Sequence, residues 1–316
     1  MVLAVEAFIQ EMLMLYGTVL LGFTARKIGI LNENATDVLT QLILYITLPA
    51  LILFSLDISF SITLAKEFMW LITMSLYILI ISCFLAYRMR QRSQLSKKQK
   101  TVYEGLIIFG NQGFIGYAVS FILLGEQGII YLTMFNLCYL LLIWTYGIYL
   151  FSKDTNTIDW KNLFLNPGIL STLTGILIFL LPVSFPVIIS DSLENVGKIT
   201  IPLSMMLIGS LIANVKYKEL LFLIKNIYIW KLAVTRLILI PLFLLPFAAL
   251  PVPYPLLVIG VVVSGMPSAP TISLYSQKYG ADTFFASLGV LLTTLLCIIT
   301  IPFLYFIVSL LSNLKW

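Results

Sequence analysis

Histidine is absent from the 316 residues, cysteine occurs three times, and only 10% of the side chains are charged. Each shortage removes a class of function. Histidine titrates most readily near neutral pH, so its absence excludes Ser-His-Asp triads, HExxH zinc sites and histidine-ligated haem. Any proton chemistry must fall to carboxylates, lysine or tyrosine. Cys83, Cys138 and Cys297 sit inside apolar runs, where a thiol behaves as a small hydrophobe, and their spacing matches neither a disulfide framework nor a metal motif. No metal, cofactor or enzymatic activity is expected.

What is present in excess is apolar surface. Sixty per cent of the residues are hydrophobic and the mean hydropathy is +1.03. At roughly 20 apolar residues per membrane-spanning helix, this stock builds about ten spans. The reading is therefore an all-α membrane protein with spans near 5–25, 37–56, 67–88, 103–124, 127–151, 166–183, 192–213, 230–249, 254–276 and 283–312. The first span contains Glu6 and Glu11 and has no basic region before it, so it is expected to be retained rather than cleaved as a signal peptide. Asn166 followed by Pro167 reads as an N-cap with proline at the first helical position. The stretch 215–230 mixes lysines with Leu220, Leu221, Phe222 and Ile224, the pattern of an interfacial amphipathic helix.

The net charge of +5 is read as a topology signal rather than a nucleic-acid surface. Cytoplasmic loops are enriched in Lys and Arg, so the loop holding Arg88, Arg90, Arg92, Lys97, Lys98 and Lys100 is placed inside. That choice puts 15 of the 19 basic residues on one side, leaving Lys66 and Lys315 clearly opposite. Both termini are then expected outside the cytoplasm, in a multi-pass protein of the cell membrane.

The chain also repeats itself. Ile46-Thr47-Leu48-Pro49 in span two matches Ile199-Thr200-Ile201-Pro202 in span seven, while Gly110 and Gly125 match Gly265 and Gly280. The reading is two five-helix repeats, residues 1–151 and 166–316, joined by a cytoplasmic linker at 152–165. Because five is odd, the second repeat enters the membrane inverted, an arrangement found in secondary transporters with their site near the midplane. Span four carries Phe109-Gly110-Asn111-Gln112-Gly113-Phe114-Ile115-Gly116, and span nine carries Ser264-Gly265-Met266-Pro267-Ser268-Ala269-Pro270. Proline removes an N–H and clashes with the preceding turn, and glycine weakens a helix interior. Both spans are expected to break and cross at mid-depth. Such backbone is tolerated where it lines a cavity or is buried in protein, and the broken ends turn helix N-termini toward an anion.

At these residues the sequence resembles the auxin efflux carrier family. The resemblance covers most of the chain: Ala25 to Leu31, Tyr45 to Leu51, Gly110 to Gly113 with Gly116, Trp144 to Gly147, Pro202 to Ser204, Met266 to Ala269 and Tyr279 to Asp282. It implies ten helices in two repeats, elevator-type alternating access, small organic-anion substrates such as malate, other carboxylates or auxin-like acids, and a homodimer in the lipid bilayer. The family's substrate-contacting asparagine falls at Asn111. Where the family usually has proline, two residues after Gly116, this chain has Ala118, so the first break is expected to rest on Gly113 and Gly116.

Asn111 and Gln112 are the leading candidates for substrate binding, because an amide donates to a carboxylate and accepts from a hydroxyl. Gly113, Gly265, Met266, Pro267 and Ser268 belong to the same two breaks. Asn136, Thr47 beside Pro49, and Ser204 are secondary candidates, with packing as the alternative for each. Charges in a membrane interior are expensive and by default functional, which makes Lys198, Glu194, Glu11 and Arg236 candidates for coupling. Glu194 and Lys198 are four apart and can pair on one helix face. Arg236 is five residues from Lys231 and could instead snorkel to the surface. Proton or membrane potential is the expected driving force, with a sodium-coupled symporter as the alternative. A channel or receptor is the rival outside carriers.

Overall fold

The computed structural model describes residues 2–58, 61–152, 167–181, 183–213 and 225–313. These residues form helices and no strand; the one extended pairing among them is an isolated antiparallel bridge between Gly110 and Ser268. In chain order the helices are α1 Val2–Lys27, α2 Glu33–Leu56, α3 Ile62–Arg92, α4 Lys97–Ile108, α5 Gln112–Leu124, α6 Glu126–Ser152, α7 Pro167–Leu180, α8 Val187–Ala213, α9 Ile227–Ala249, α10 Tyr254–Ser264, α11 Thr271–Lys278 and α12 Thr283–Asn313. Six of them (α2, α3, α6, α8, α9 and α12) are long and apolar enough to cross a membrane.

Six such helices are fewer than the ten spans read from sequence. Part of the difference lies in the breaks: span four is divided into α4 and α5, and span nine into α10 and α11, so that no piece alone has spanning length. The linker at 152–165 and residues 214–224, where most of the interfacial helix was placed, fall almost wholly outside the described residues. Pro167 does open α7.

Local chemistry explains several boundaries. The Asn32 side chain accepts the N–H of Ala35 at 2.8 Å and opens α2. Ser96 and Gln99 form a reciprocal capping box at the start of α4, and Asn226 accepts the N–H groups of Tyr228 and Ile229 to begin α9. Two prolines stand inside helices beside a widened π-helical turn: Pro49 after Ile43–Thr47, and Pro241 after Thr235–Leu239. A proline ring collides with the carbonyl four residues earlier, and a wider turn relieves that collision without ending the helix. Gly125 and Gly280, the matched glycines of the repeat, both adopt positive φ (61° and 69°) at the ends of α5 and α11, a conformation that favours a residue without Cβ.

The chain divides into two compact units, each drawing on both halves of the sequence. The first comprises residues 1–68, 113–134 and 164–216; the second comprises 69–112, 135–163 and 217–316. In the first, α1 lies so close to α8 that a methyl on Gly22 would overlap the Met206 backbone, and one on Gly209 would overlap the backbone at Val19, the close approach that small residues permit between membrane helices. Several of its polar groups pair with one another: Thr36 with Ser210 at 3.1 Å, Tyr131 with Glu67 at 2.8 Å, and Asp57 with the Phe185 N–H and the Ser190 hydroxyl. The second unit packs α10 and α9 on α12 around fully buried Tyr103, Phe109 and Phe285.

Candidate functional site

In the second unit two chain interruptions, at residues 109–111 and 265–270, lie side by side, and their meeting point is called the crossing below. After Ile108 the chain extends through Phe109, Gly110 and Asn111, and after Ser264 it runs irregularly through Gly265 to Pro270. The two segments pair antiparallel: the Asn111 N–H donates to the Pro267 carbonyl at 2.6 Å, and the Ala269 N–H donates to the Phe109 carbonyl at 2.9 Å. Each break therefore supplies hydrogen bonds that the other lost by leaving its helix, which is what buried backbone requires.

The carbonyls at the end of α4 are accounted for one by one. Leu106 accepts from the Ser268 hydroxyl at 2.8 Å. Ile107 and Ile108 accept from Nη1 of Arg236 at 3.3 and 3.2 Å. Gly110 accepts from the Tyr139 hydroxyl at 2.6 Å and from the Gln112 N–H at 2.9 Å. On the other segment, Met266 accepts from Nε of Arg236 at 2.9 Å, and the Ser268 N–H donates to the Thr293 hydroxyl at 3.0 Å. Arg236 is 2% exposed. The snorkelling alternative is not realised, because these carbonyls hold the guanidinium inside the unit. A methyl on Gly110 would overlap it.

Asn111, Gln112, Gly265, Met266, Pro267 and Ser268 are thus brought to one place, and all six are buried. Gln112 Oε1 has no hydrogen-bond partner in the structure, and neither does Asn136 Oδ1. Asn136 lies one turn before Tyr139 on α6, on the same helix face. Buried amide oxygens without partners are uncommon and invite an explanation; a hydroxyl-bearing ligand would supply the missing donors.

The position of the first break differs from expectation. It falls at Phe109-Gly110-Asn111, ahead of Gly113 and Gly116, which belong to a π-helical turn opening α5. The physical reason is that the break is stabilised by pairing with residues 267–269, so the freedom of Gly113 and Gly116 is not what interrupts the helix.

Other candidates lie in the first unit: Thr47, Pro49, Gly113 and Ser204, the last fully buried with an unpartnered hydroxyl, as is that of Thr47. Lys198 pairs with Glu194, four residues before it, and also with Glu126 at 3.1 Å, while staying 43% exposed. Glu11 lies in α1, its side chain outside the described residues. Four contributions were missed from sequence: those of Tyr139 and Thr293, and those of Arg90 and Tyr146 as partners of Glu104. Glu104 is fully buried, receiving Arg90 at 2.5 Å and the Tyr146 hydroxyl at 2.7 Å. A tyrosine one turn after Asn136 in an apolar span was the available signal for Tyr139. Among the described residues no three His, Cys, Asp or Glu side chains stand together to hold a metal.

The sequence profile of a family described as "Membrane transport protein" matches residues 7–159 and, a second time, residues 153–305. A stretch of 200 residues is 26% identical to an uncharacterized transporter of Methanocaldococcus jannaschii, covering 60% of this chain and 64% of that protein. The match thus spans less than two thirds of the relative's length.

Proposed function

Since the chain belongs to the membrane transport protein family, the family of the auxin efflux carriers, we propose that it is a secondary transporter of small organic anions, carboxylates such as malate or auxin-like acids. In this reading ten spans form two inverted repeats, residues 1–151 and 166–316 joined by a linker at 152–165, and the double match of one family profile supports the duplication. Substrate binds at the crossing of the interrupted helices. α5 begins at Gln112 and α11 at Thr271, so both start beside the crossing, and helix N-termini favour anions. Asn111 and Gln112 contact the carboxylate and hydroxyl groups, with Asn136 completing the set. Elevator-type alternating access needs two separately packed bodies, and the chain divides into two. Proton or membrane potential drives the cycle, the termini face away from the cytoplasm, and the protein works as a homodimer in the cell membrane.

The observation that carries this reading is the paired crossing itself, with the buried amide oxygen of Gln112 left without a partner. Uptake of labelled mono- and dicarboxylates into proteoliposomes tests it. The intact protein should show saturable uptake of at least one carboxylate, and Asn111→Ala should abolish it while the protein still elutes as a folded species. Undiminished uptake by Asn111→Ala would remove the crossing from the substrate path.

A further inference from the structure

The guanidinium of Arg236 has an unusual set of partners. Its hydrogen bonds go to three backbone carbonyls, of Ile107, Ile108 and Met266, while Nη2 has no partner. No carboxylate pairs with it among the described residues. Ile107 and Ile108 are the last two residues of α4, and Met266 lies two residues beyond α10. The C-terminal ends of helices carry unsatisfied carbonyls and partial negative charge. In transporters with interrupted helices, such half-helix C-termini and unwound carbonyls are the groups that coordinate a coupling cation. A guanidinium stays charged at neutral pH and, being part of the chain, does not exchange with solvent.

We propose that Arg236 is a resident cation. It occupies the carbonyl-lined seat at the C-terminal ends of α4 and α10 that an exchangeable sodium ion would otherwise fill, so the crossing closes without sodium. The inference builds on the transporter reading and narrows it: the anion is carried without a sodium ion at this seat. Gly110 belongs to the same device, since any side chain there would displace the guanidinium. Arg236 is a positioning residue for the crossing and touches no substrate in this account.

Thermal unfolding of the purified full-length protein, without substrate, tests the proposal. The unfolding midpoint of the wild type should be the same in sodium, potassium and choline chloride at equal ionic strength. Arg236→Ala empties the seat: its midpoint should fall, then rise saturably as sodium or methylguanidinium replaces choline, neither of which should move the wild type. Arg236→Lys keeps a charge but not the fork, and should lie between the two without responding to sodium. A saturable sodium-dependent rise in the wild type would overturn the proposal, as would a folded Arg236→Ala indifferent to both cations. If Arg236→Ala cannot be purified, a sodium response in the wild type or in Arg236→Lys decides against it, and indifference of both supports it. Because no substrate is present, failure of carboxylate uptake refutes the transport reading and leaves these outcomes standing.

Discussion

Between α4 and α5 the chain leaves its helix at Phe109-Gly110-Asn111, with no proline in the segment, whereas between α10 and α11 it passes through Pro267 and Pro270 before the helix resumes. The second interruption is written locally, because neither proline has an N–H to continue a helix. The first is imposed from a distance: its carbonyls go to Arg236, Ser268, Ala269 and Tyr139. The matched glycines show the same contrast. A methyl on Gly110 meets a guanidinium fixed by three hydrogen bonds, while one on Gly265 meets mainly the end of the Leu304 side chain. One interruption is thus a property of its own residues, and the other exists through its partners.

Substitutions can break this contrast. The largest effect is expected from Gly110→Ala, at the upper end of the roughly 1–3 kcal/mol that overpacking costs, with loss of transport. Gly265→Ala should cost less, since Leu304 can turn away; equal losses in thermal unfolding would show that the two interruptions are supported alike. Next comes Thr293→Val, which orphans the buried Ser268 N–H and should cost about 1–3 kcal/mol. Thr293→Ser keeps the hydroxyl and should recover most of the stability, and its failure to do so would assign the effect to packing. The smallest effect is expected from Tyr139→Phe, about 0.5–1.5 kcal/mol, because the Gly110 carbonyl keeps the Gln112 N–H. A collapse of folding in Tyr139→Phe would mean that the first interruption hangs on this one hydroxyl.

The same contrast explains what could be read from sequence. Pro267 and Pro270 announce their break because proline acts on its own turn, and the apolar runs announce helices because burial follows local hydropathy. The first break could be located only to within a few residues, since glycine permits an interruption without placing it. The destination of Arg236 was not legible: five residues from Lys231, it looked free to reach the surface, and the carbonyls that hold it lie on distant segments. Thr293 and Tyr139 were hidden for the same reason. The Glu194–Lys198 pair was legible from its spacing of four, but the addition of Glu126 was not, because that contact depends on how α6 and α8 meet.

The sequence distances across the crossing bear on how the protein is made. The carbonyls of Ile107 and Ile108 find their donor 129 and 128 residues later, and that of Leu106 waits 162 residues for Ser268. A ribosome delivers the first interrupted helix to the bilayer well before the chain that completes it exists. Bare carbonyls in hydrocarbon are costly, so during synthesis this segment must borrow water, the insertion machinery or another helix. The crossing can therefore close only after Arg236 and Ser268 have been made, and a chain truncated before Arg236 leaves the Ile107 and Ile108 carbonyls without these donors.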